Sequence, residues 1–394
     1  MAFTGLKVGI PGEIMAGEMR VAATPETVGK LIGKGARVLV EKGAGQGSLF
    51  SDREYLDNKA EIVEDVEQIF SDSDIILKVK EPLFSEQKNK HEADMTRQGQ
   101  YLVCFLHPAS PSNHSMIRKL ASQGVISLTL DSVPRISRAQ SMDALTSMST
   151  VAGYKAVLLA ADTLGKFLPM LATPVGMIRP AKVLVIGAGV AGLQALATAK
   201  RLGAEVLAAD IRPDACEQAK SLGAKIIPVS VPAKIALGPG GYALALPEEW
   251  IAKEQAELAD TVSGADIIIL SALVPGRLSP VLISEEMVKS MKAGSVIIDI
   301  AIDQGGNCQL SEPGKTVEKY GVKIIAIKNI PGRLPLSATQ MYANNICNFL
   351  CHLVKDGRVN LDMNDEIISS CLVTNNGQVV HAGAIEAMKL SQKD

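Results

Sequence analysis

The chain carries no strong charge of either sign: 40 Lys and Arg stand against 42 Asp and Glu, the formal net charge is −2, and no basic cluster is longer than Lys88-Asn89-Lys90. Electrostatic attraction to nucleic acid or anionic lipid is therefore not expected. No CxxC pair occurs among Cys104, Cys216, Cys308, Cys347, Cys351 and Cys371. Cys347 and Cys351 suit one helix face better than a metal site, so the thiols read as reduced, buried and cytosolic and no metal is expected. Residues 1–13 lack the basic, apolar and small-residue succession of an export signal. The longest charge-free run, 183–199, is short for a membrane span and holds three glycines, so a strand-turn-helix unit explains it better. No repeat of solenoid period is visible. Aromatic residues are scarce at 4%, whereas glycines number 34 and 47% of residues are hydrophobic, a composition of α/β proteins with many tight strand-to-helix turns.

At 394 residues the chain exceeds what one core usually organises. The expected fold is α/β, with two Rossmann-like domains built on parallel sheets, the first discontinuous, and a cleft between them. Strand-like runs at Leu6–Ile10, Ala36–Val40, Asp74–Val79, Tyr101–Leu106 and Val125–Leu130 alternate with helical patterns. The texture changes at Ser132, and an apolar helix follows from about Ala152 to Phe167. A second series runs through Lys182–Ile186, Glu205–Ala209, Lys225–Pro228, Asp266–Ser271, Ser295–Ile300 and Val322–Ile327. A tail with a hairpin over Ile368–Val380, around Asn375-Asn376-Gly377, is too small to fold alone and returns to the first domain. The expected limits are 1–133 with 331–394 for the first domain and 134–330 for the second. The segment Val231–Leu246, with Gly238-Pro239-Gly240-Gly241, has no period of strand or helix and reads as a mobile lid or a plain connector.

Gly187-Ala188-Gly189-Val190-Ala191-Gly192 follows the run Lys182–Ile186 and opens a helix with Leu193, Ala197 and Leu202 on its inner face. Gly187 permits the tight turn, Gly189 lets the backbone approach a pyrophosphate, and Gly192 allows helix and strand to pack closely. The helix start offers N–H donors and a positive dipole end to phosphates. Asp210, at the end of the next strand, is the carboxylate expected to bind the adenosine ribose hydroxyls, so NAD(H) is favoured over NADP(H), although Arg212 keeps the latter open.

The stretch Arg135-Ile-Ser-Arg-Ala-Gln-Ser-Met-Asp143, with Thr146 and Val151-Ala152-Gly153-Tyr154, resembles the NAD(H)-binding component of proton-translocating NAD(P) transhydrogenase. Asp131-Ser-Val-Pro, Ser271-Ala-Leu-Val-Pro-Gly276, Gly294–Asp299 and Gly305-Gly306-Asn307-Cys308 are also similar, so the likeness spans nearly the whole chain. It implies that Arg135, Gln140, Asp143 and Thr146 hold the nicotinamide end of NAD(H), with Thr146 where the family often has serine. It further implies that Gly187, Gly189, Val190, Gly192, Asp210, Ile211, Arg212 and Leu273 hold the nucleotide, and that Gly240-Gly241-Tyr242 belongs to a closing loop. The partners implied are a second copy in a homodimer, an NADP(H)-binding component and a membrane-spanning proton-translocating component. A cytoplasmic protein held peripherally at the inner membrane follows.

The same fold also resembles alanine dehydrogenase, which reductively aminates pyruvate with NADH. That family's substrate-site residues match Arg20, Lys80, His107 and Asp303. An arginine and a lysine can hold a carboxylate and carbonyl while a histidine or aspartate moves a proton. The four are either relics of common ancestry or a working 2-oxo-acid pocket, and the Arg135–Asp143 loop favours the transhydrogenase.

Overall fold

A computed structural model describes residues 2–238, 243–274 and 278–390. It divides into two compact units, Met1–Met148 with Gly332–Asp394, and Ser149–Pro331.

In the first unit six strands, Lys7–Ile10 (β1), Arg37–Glu41 (β2), Glu61–Val63 (β3), Ile75–Leu77 (β4), Tyr101–Cys104 (β5) and Ile126–Thr129 (β6), pair in parallel in the order β3-β2-β1-β4-β5-β6. Helices cover both faces, so strands such as Ile75–Leu77 are buried throughout and read as apolar runs without alternation. The order reverses between β1 and β4, where a doubly wound sheet opens a crevice beyond the carboxyl ends of its strands. The C-terminal hairpin, Leu372–Asn375 with Gln378–Val379, adds to this sheet antiparallel to β6. Its turn places Asn376 at φ 50° and Gly377 at φ 77°, the two left-handed positions that an Asn-Gly pair suits. The hairpin is shorter than the sequence pattern, because Asp365 caps a short helix over Glu366–Cys371 and the strand begins only at Leu372.

The second unit holds Lys182–Ile186 (β7), Glu205–Ala209 (β8), Lys225–Ile226 (β9), Ile267–Leu270 (β10), Val296–Asp299 (β11), Thr316–Lys319 (β12) and Val322–Ile325 (β13), in the order β9-β8-β7-β10-β11-β13-β12. All pairs are parallel except β12 with β13, an antiparallel edge hairpin that the sequence pattern did not reveal. This order too reverses, between β7 and β10.

The apolar helix read as Ala152–Phe167 runs instead over Ala144–Thr163 (α1). It starts early because the Asp143 carboxylate accepts the Thr146 backbone N–H at 2.8 Å, a cap that turns a polar stretch into a helix start. By length and composition α1 could cross a membrane, but Ala152, Ala156, Val157 and Ala160 lie in the core beside Val183 and Val185. Two further helices shape the second unit, Val190–Arg201 (α2) and Glu248–Gly264 (α3). The helix Pro335–Leu353 (α4) belongs to the first.

Candidate functional sites

Each glycine of the turn after β7 meets a different demand. Gly187 sits at φ 91°, and a Cβ there would lie 2.6 Å from the Ala272 backbone nitrogen. At Gly189, the residue capping α2, a Cβ would lie 3.8 Å from an Arg212 terminal nitrogen, ordinary contact with a side chain rather than with backbone. A Cβ on Gly192 would lie 2.0 Å from the Gly187 carbonyl oxygen, and one on Gly153 of α1 would lie 2.1 Å from the Ala191 oxygen. Helices α1 and α2 thus meet the turn backbone to backbone. Val190 opens α2, leaving the N–H groups of its first turn without partners inside the helix. Ser271, at the end of β10, donates its hydroxyl to the Gly187 oxygen at 2.7 Å and ties the two strand ends that flank the crevice.

Asp210 stands just past β8, two residues before Arg212, with Ile211 half-buried between them. One carboxylate oxygen accepts the Arg212 N–H at 2.8 Å and its Nε at 2.9 Å; the other accepts Ala188 N–H at 2.7 Å and an Arg212 terminal nitrogen at 2.8 Å. The carboxylate therefore faces the glycine turn in a fixed orientation, with Arg212 as a bidentate clamp. Leu273 projects into solvent at 42% exposure. Gly241 and Tyr242, with Gly240, lie outside the described residues.

Sequence reasoning missed Glu254 on α3. It is 4% exposed, and burial, followed by the charges of Asp210 and Glu257, pushes its carboxyl up to about 7. A signal existed, since Glu254, Leu258 and Val262 recur at i, i+4, i+8 along the buried stripe of α3.

In the first unit, Ser137–Met142 form a 3-10 turn whose Ala139 and Met142 point inward while Arg135 and Gln140 are exposed. Asn345 and Asn348 of α4 both donate to the Ser141 carbonyl, at 3.0 and 3.1 Å, and Arg138 pairs with Asp365 at 3.0 Å. The loop is therefore fastened from behind. Asp143 holds the Thr146 hydroxyl at 2.6 Å in addition to its N–H, so these two act as one group.

Three of the four residues matched to a 2-oxo-acid pocket follow strand ends of the first sheet; Asp303 does not, lying exposed in the turn Ile300–Gln304 after β11 of the second unit. Arg20 is 3% exposed and bound bidentately by Glu18 at 2.7 and 2.5 Å. Lys80 is half-buried beyond β4, and its N–H reaches Glu13 at 3.3 Å. The fully buried lysine is its neighbour Lys78, paired with Glu92 at 2.8 Å and Glu13 at 3.4 Å. Burial raises the Glu13 carboxyl to about 6 against the pull of Lys78. His107, at a left-handed φ of 45°, stacks on Phe105 and sets its Nδ1 2.8 Å from Asp131. Desolvation pulls the imidazole down, but Asp131 and then Glu81 outweigh it and the net shift is upward. Asp131, despite desolvation, is held at about 2 by His107 and Thr129. Glu81 Oε2, 4.0 Å from His107 Nε2, is buried without a hydrogen-bond partner among the described residues.

Two doubly wound sheets, one ending in a dinucleotide turn and the other in a ring of buried charge, define an α/β protein of the dinucleotide-binding class. Residues 9–152 match the family described as alanine dehydrogenase/PNT, N-terminal domain, and residues 156–382 its C-terminal domain. The chain is 44% identical over 379 residues to the first of the polypeptides that make up NAD(P) transhydrogenase subunit alpha in Rhodospirillum rubrum, covering 95% of this chain and 98% of that one. It is 34% identical to alanine dehydrogenase of Bacillus subtilis, covering 95% and 92%. The solved transhydrogenase from Sinorhizobium meliloti superposes with a TM-score of 0.83 at 40% identity, over 95% of this chain and all of the other. The chain belongs to the alanine dehydrogenase/PNT family, and within it is more similar to this transhydrogenase subunit than to this alanine dehydrogenase.

Proposed function

We propose that the chain is the NAD(H)-binding subunit of a proton-translocating NAD(P) transhydrogenase, exchanging hydride with NADP(H) held on a partner component. The observation that carries this reading is the glycine turn, where Gly187 and Gly192 fill places closed to any side chain and Gly189 is bordered by the Arg212 guanidinium, in a chain similar over 95% of its length to such a subunit. The residues fit the nucleotide: the α2 N-terminus and Gly189 would receive the pyrophosphate, and Asp210 and Arg212 would receive the adenosine ribose. Val190 and Leu273 would flank it.

NAD(H), when bound, supplies the hydride, and ring-to-ring transfer asks the protein for orientation and exclusion of water rather than acid-base work. In this reading Asp143 and Thr146 hold each other in place at the nicotinamide end, while exposed Arg135 and Gln140 present their side chains to it. The NADP(H)-binding and membrane components would keep the chain at the cytoplasmic face of the inner membrane. A homodimer is supported by the hairpin over residues 171–178 and the segment leading into it, where Val175 and Met177 are 95 and 70% exposed and Phe167 and Met170 are 57 and 59% exposed.

Mixing the purified chain with an NADP(H)-binding transhydrogenase component and following hydride exchange between NADH and an NAD analogue tests the reading; no exchange overturns it. Gln140→Ala is expected to slow exchange far more than it weakens NADH binding, and equal losses would remove its orienting role. A second reading, alanine dehydrogenase, is favoured by the His107–Asp131 pair with the buried Glu81 oxygen 4.0 Å from the other ring nitrogen. NADH oxidation with pyruvate and ammonia decides it, and robust turnover there would reverse the order.

A further inference from the structure

The motif Gly305-Gly306-Asn307-Cys308 follows β11, away in sequence from the glycine turn. Its backbone requires both glycines: Gly305 and Gly306 sit at φ 102° and 85°, and a Cβ on Gly306 would come within 2.7 Å of an Asp299 carboxylate oxygen. The tight turn delivers Asn307, fully buried, to the end of β11. There the Asp299 carboxylate accepts the N–H groups of Asn307 at 2.9 Å and Cys308 at 3.1 Å and the Ser311 hydroxyl at 2.7 Å, which locks the turn.

Every polar group of the Asn307 side chain is used on one segment. Its Oδ1 accepts the Ala272 N–H at 3.0 Å, its Nδ2 donates to the Ala272 carbonyl at 2.9 Å and to the Pro280 carbonyl at 2.8 Å, and its own carbonyl accepts from Leu282 and Ile283. A side-chain amide paired with both backbone groups of Ala272 acts as an added strand residue. The segment it grips leaves β10 between Ser271, which holds the Gly187 carbonyl, and exposed Leu273.

We propose that Asn307 is a positioning residue for the nicotinamide nucleotide: through Ala272 it fixes both Ser271 under the glycine turn and Leu273 at the crevice. The inference rests on the nucleotide reading above. It gives the turn after β11 a task in nucleotide binding without contact with the nucleotide.

The test is NADH titration of the full chain, parent against Asn307→Ala and Asn307→Asp, between pH 6 and 8.5. Asn307→Ala removes all three side-chain bonds and is expected to weaken NADH at least tenfold at every pH. Asn307→Asp keeps the acceptor for Ala272 N–H but, when ionised, turns an oxygen toward two carbonyls; when protonated it regains one donor. Its affinity is therefore expected to match that of the alanine variant at pH 8.5 and recover at least fivefold at pH 6. Asp299, Cys308 and exposed Asp303 are the ionisable neighbours on the same turn and strand end. The alanine variant, with no carboxyl at this position, is the baseline at each pH, and the difference between the two profiles reports the introduced group. Binding within twofold of the parent in both variants, or an aspartate profile parallel to the alanine one, overturns the proposal. A parent chain that binds no NADH overturns the nucleotide reading itself. If the alanine variant fails to fold, the pH recovery of the aspartate variant decides alone.

Discussion

Replacing Gly192 with alanine adds one methyl group where the backbone leaves no space. Its Cβ would stand 2.0 Å from the Gly187 oxygen and 3.1 Å from the Ser271 hydroxyl, so α2 must retreat by about 1 Å to reach even the 3.0 Å that real Cβ atoms rarely breach. Alanine improves helix propensity by roughly 1 kcal/mol. Overpacking against a rigid backbone costs about 1–3 kcal/mol and occasionally more, and here neither atom in the way belongs to a long flexible side chain. The net expectation is a loss of about 1 kcal/mol, or roughly 2–4 °C in the unfolding midpoint of a unit this size. Because the retreating helix carries the N–H groups that would meet the pyrophosphate, NADH affinity should fall at least tenfold, about 1.4 kcal/mol. Gly264, at the end of α3, is the control: a Cβ there meets nothing within 4 Å. The same substitution at Gly264 should leave stability unchanged or raise it by up to about 1 kcal/mol. The single tryptophan, Trp250 on α3, reports unfolding of this unit in a urea series, and titration gives the affinity. A Gly192→Ala chain as stable and as tight as its parent would refute the steric argument.

Glu254 links this unit to pH. Its folded-state value of about 7 lies above the ordinary 4.5, so the folded chain holds more protons than the unfolded one between those limits. Stability should therefore fall as pH rises from about 4.5 to 7 and level off above. Glu254→Gln should flatten that slope and gain on the order of 3 kcal/mol at pH 8, and parallel urea midpoints at pH 5 and 8 would contradict it. Asp210→Asn should weaken NADH about tenfold and shift preference toward NADPH; an unchanged ratio in paired titrations counts against the ribose contact. Val175→Ser with Met177→Ser should convert a dimer to monomers in light scattering, and a parent that is already monomeric removes the hairpin's proposed partner.

What the sequence made legible was local. The glycine turn, Asp210 and the Asn376-Gly377 hairpin each depend on residues within a few positions of one another or on a short fixed spacing, and that spacing announces their geometry. The start of α1 is not legible in composition, because its cap, Asp143, lies in a polar run of loop character. Lys80 drew notice through a resemblance, yet Lys78 is the lysine that burial and two carboxylates hold, and only the pairing of β4 with its neighbours distinguishes the two. Asn307 was visible as one residue of a motif but not as a clamp, since its partners stand 35 and 27 residues away.

The first five strands of each sheet follow one order, yet one strand end carries the glycine turn and the other buried charge. The residues proposed for the pyrophosphate and ribose, and those around His107, therefore belong to different units of the chain. Under the proposed reading, substitutions around His107 or Arg20 would alter the reacting end without disturbing the turn after β7. Such a division lets a lineage alter its chemistry by small steps, each intermediate still able to hold its redox partner. A family that contains both a dehydrogenase and a transhydrogenase subunit is the outcome that arrangement allows.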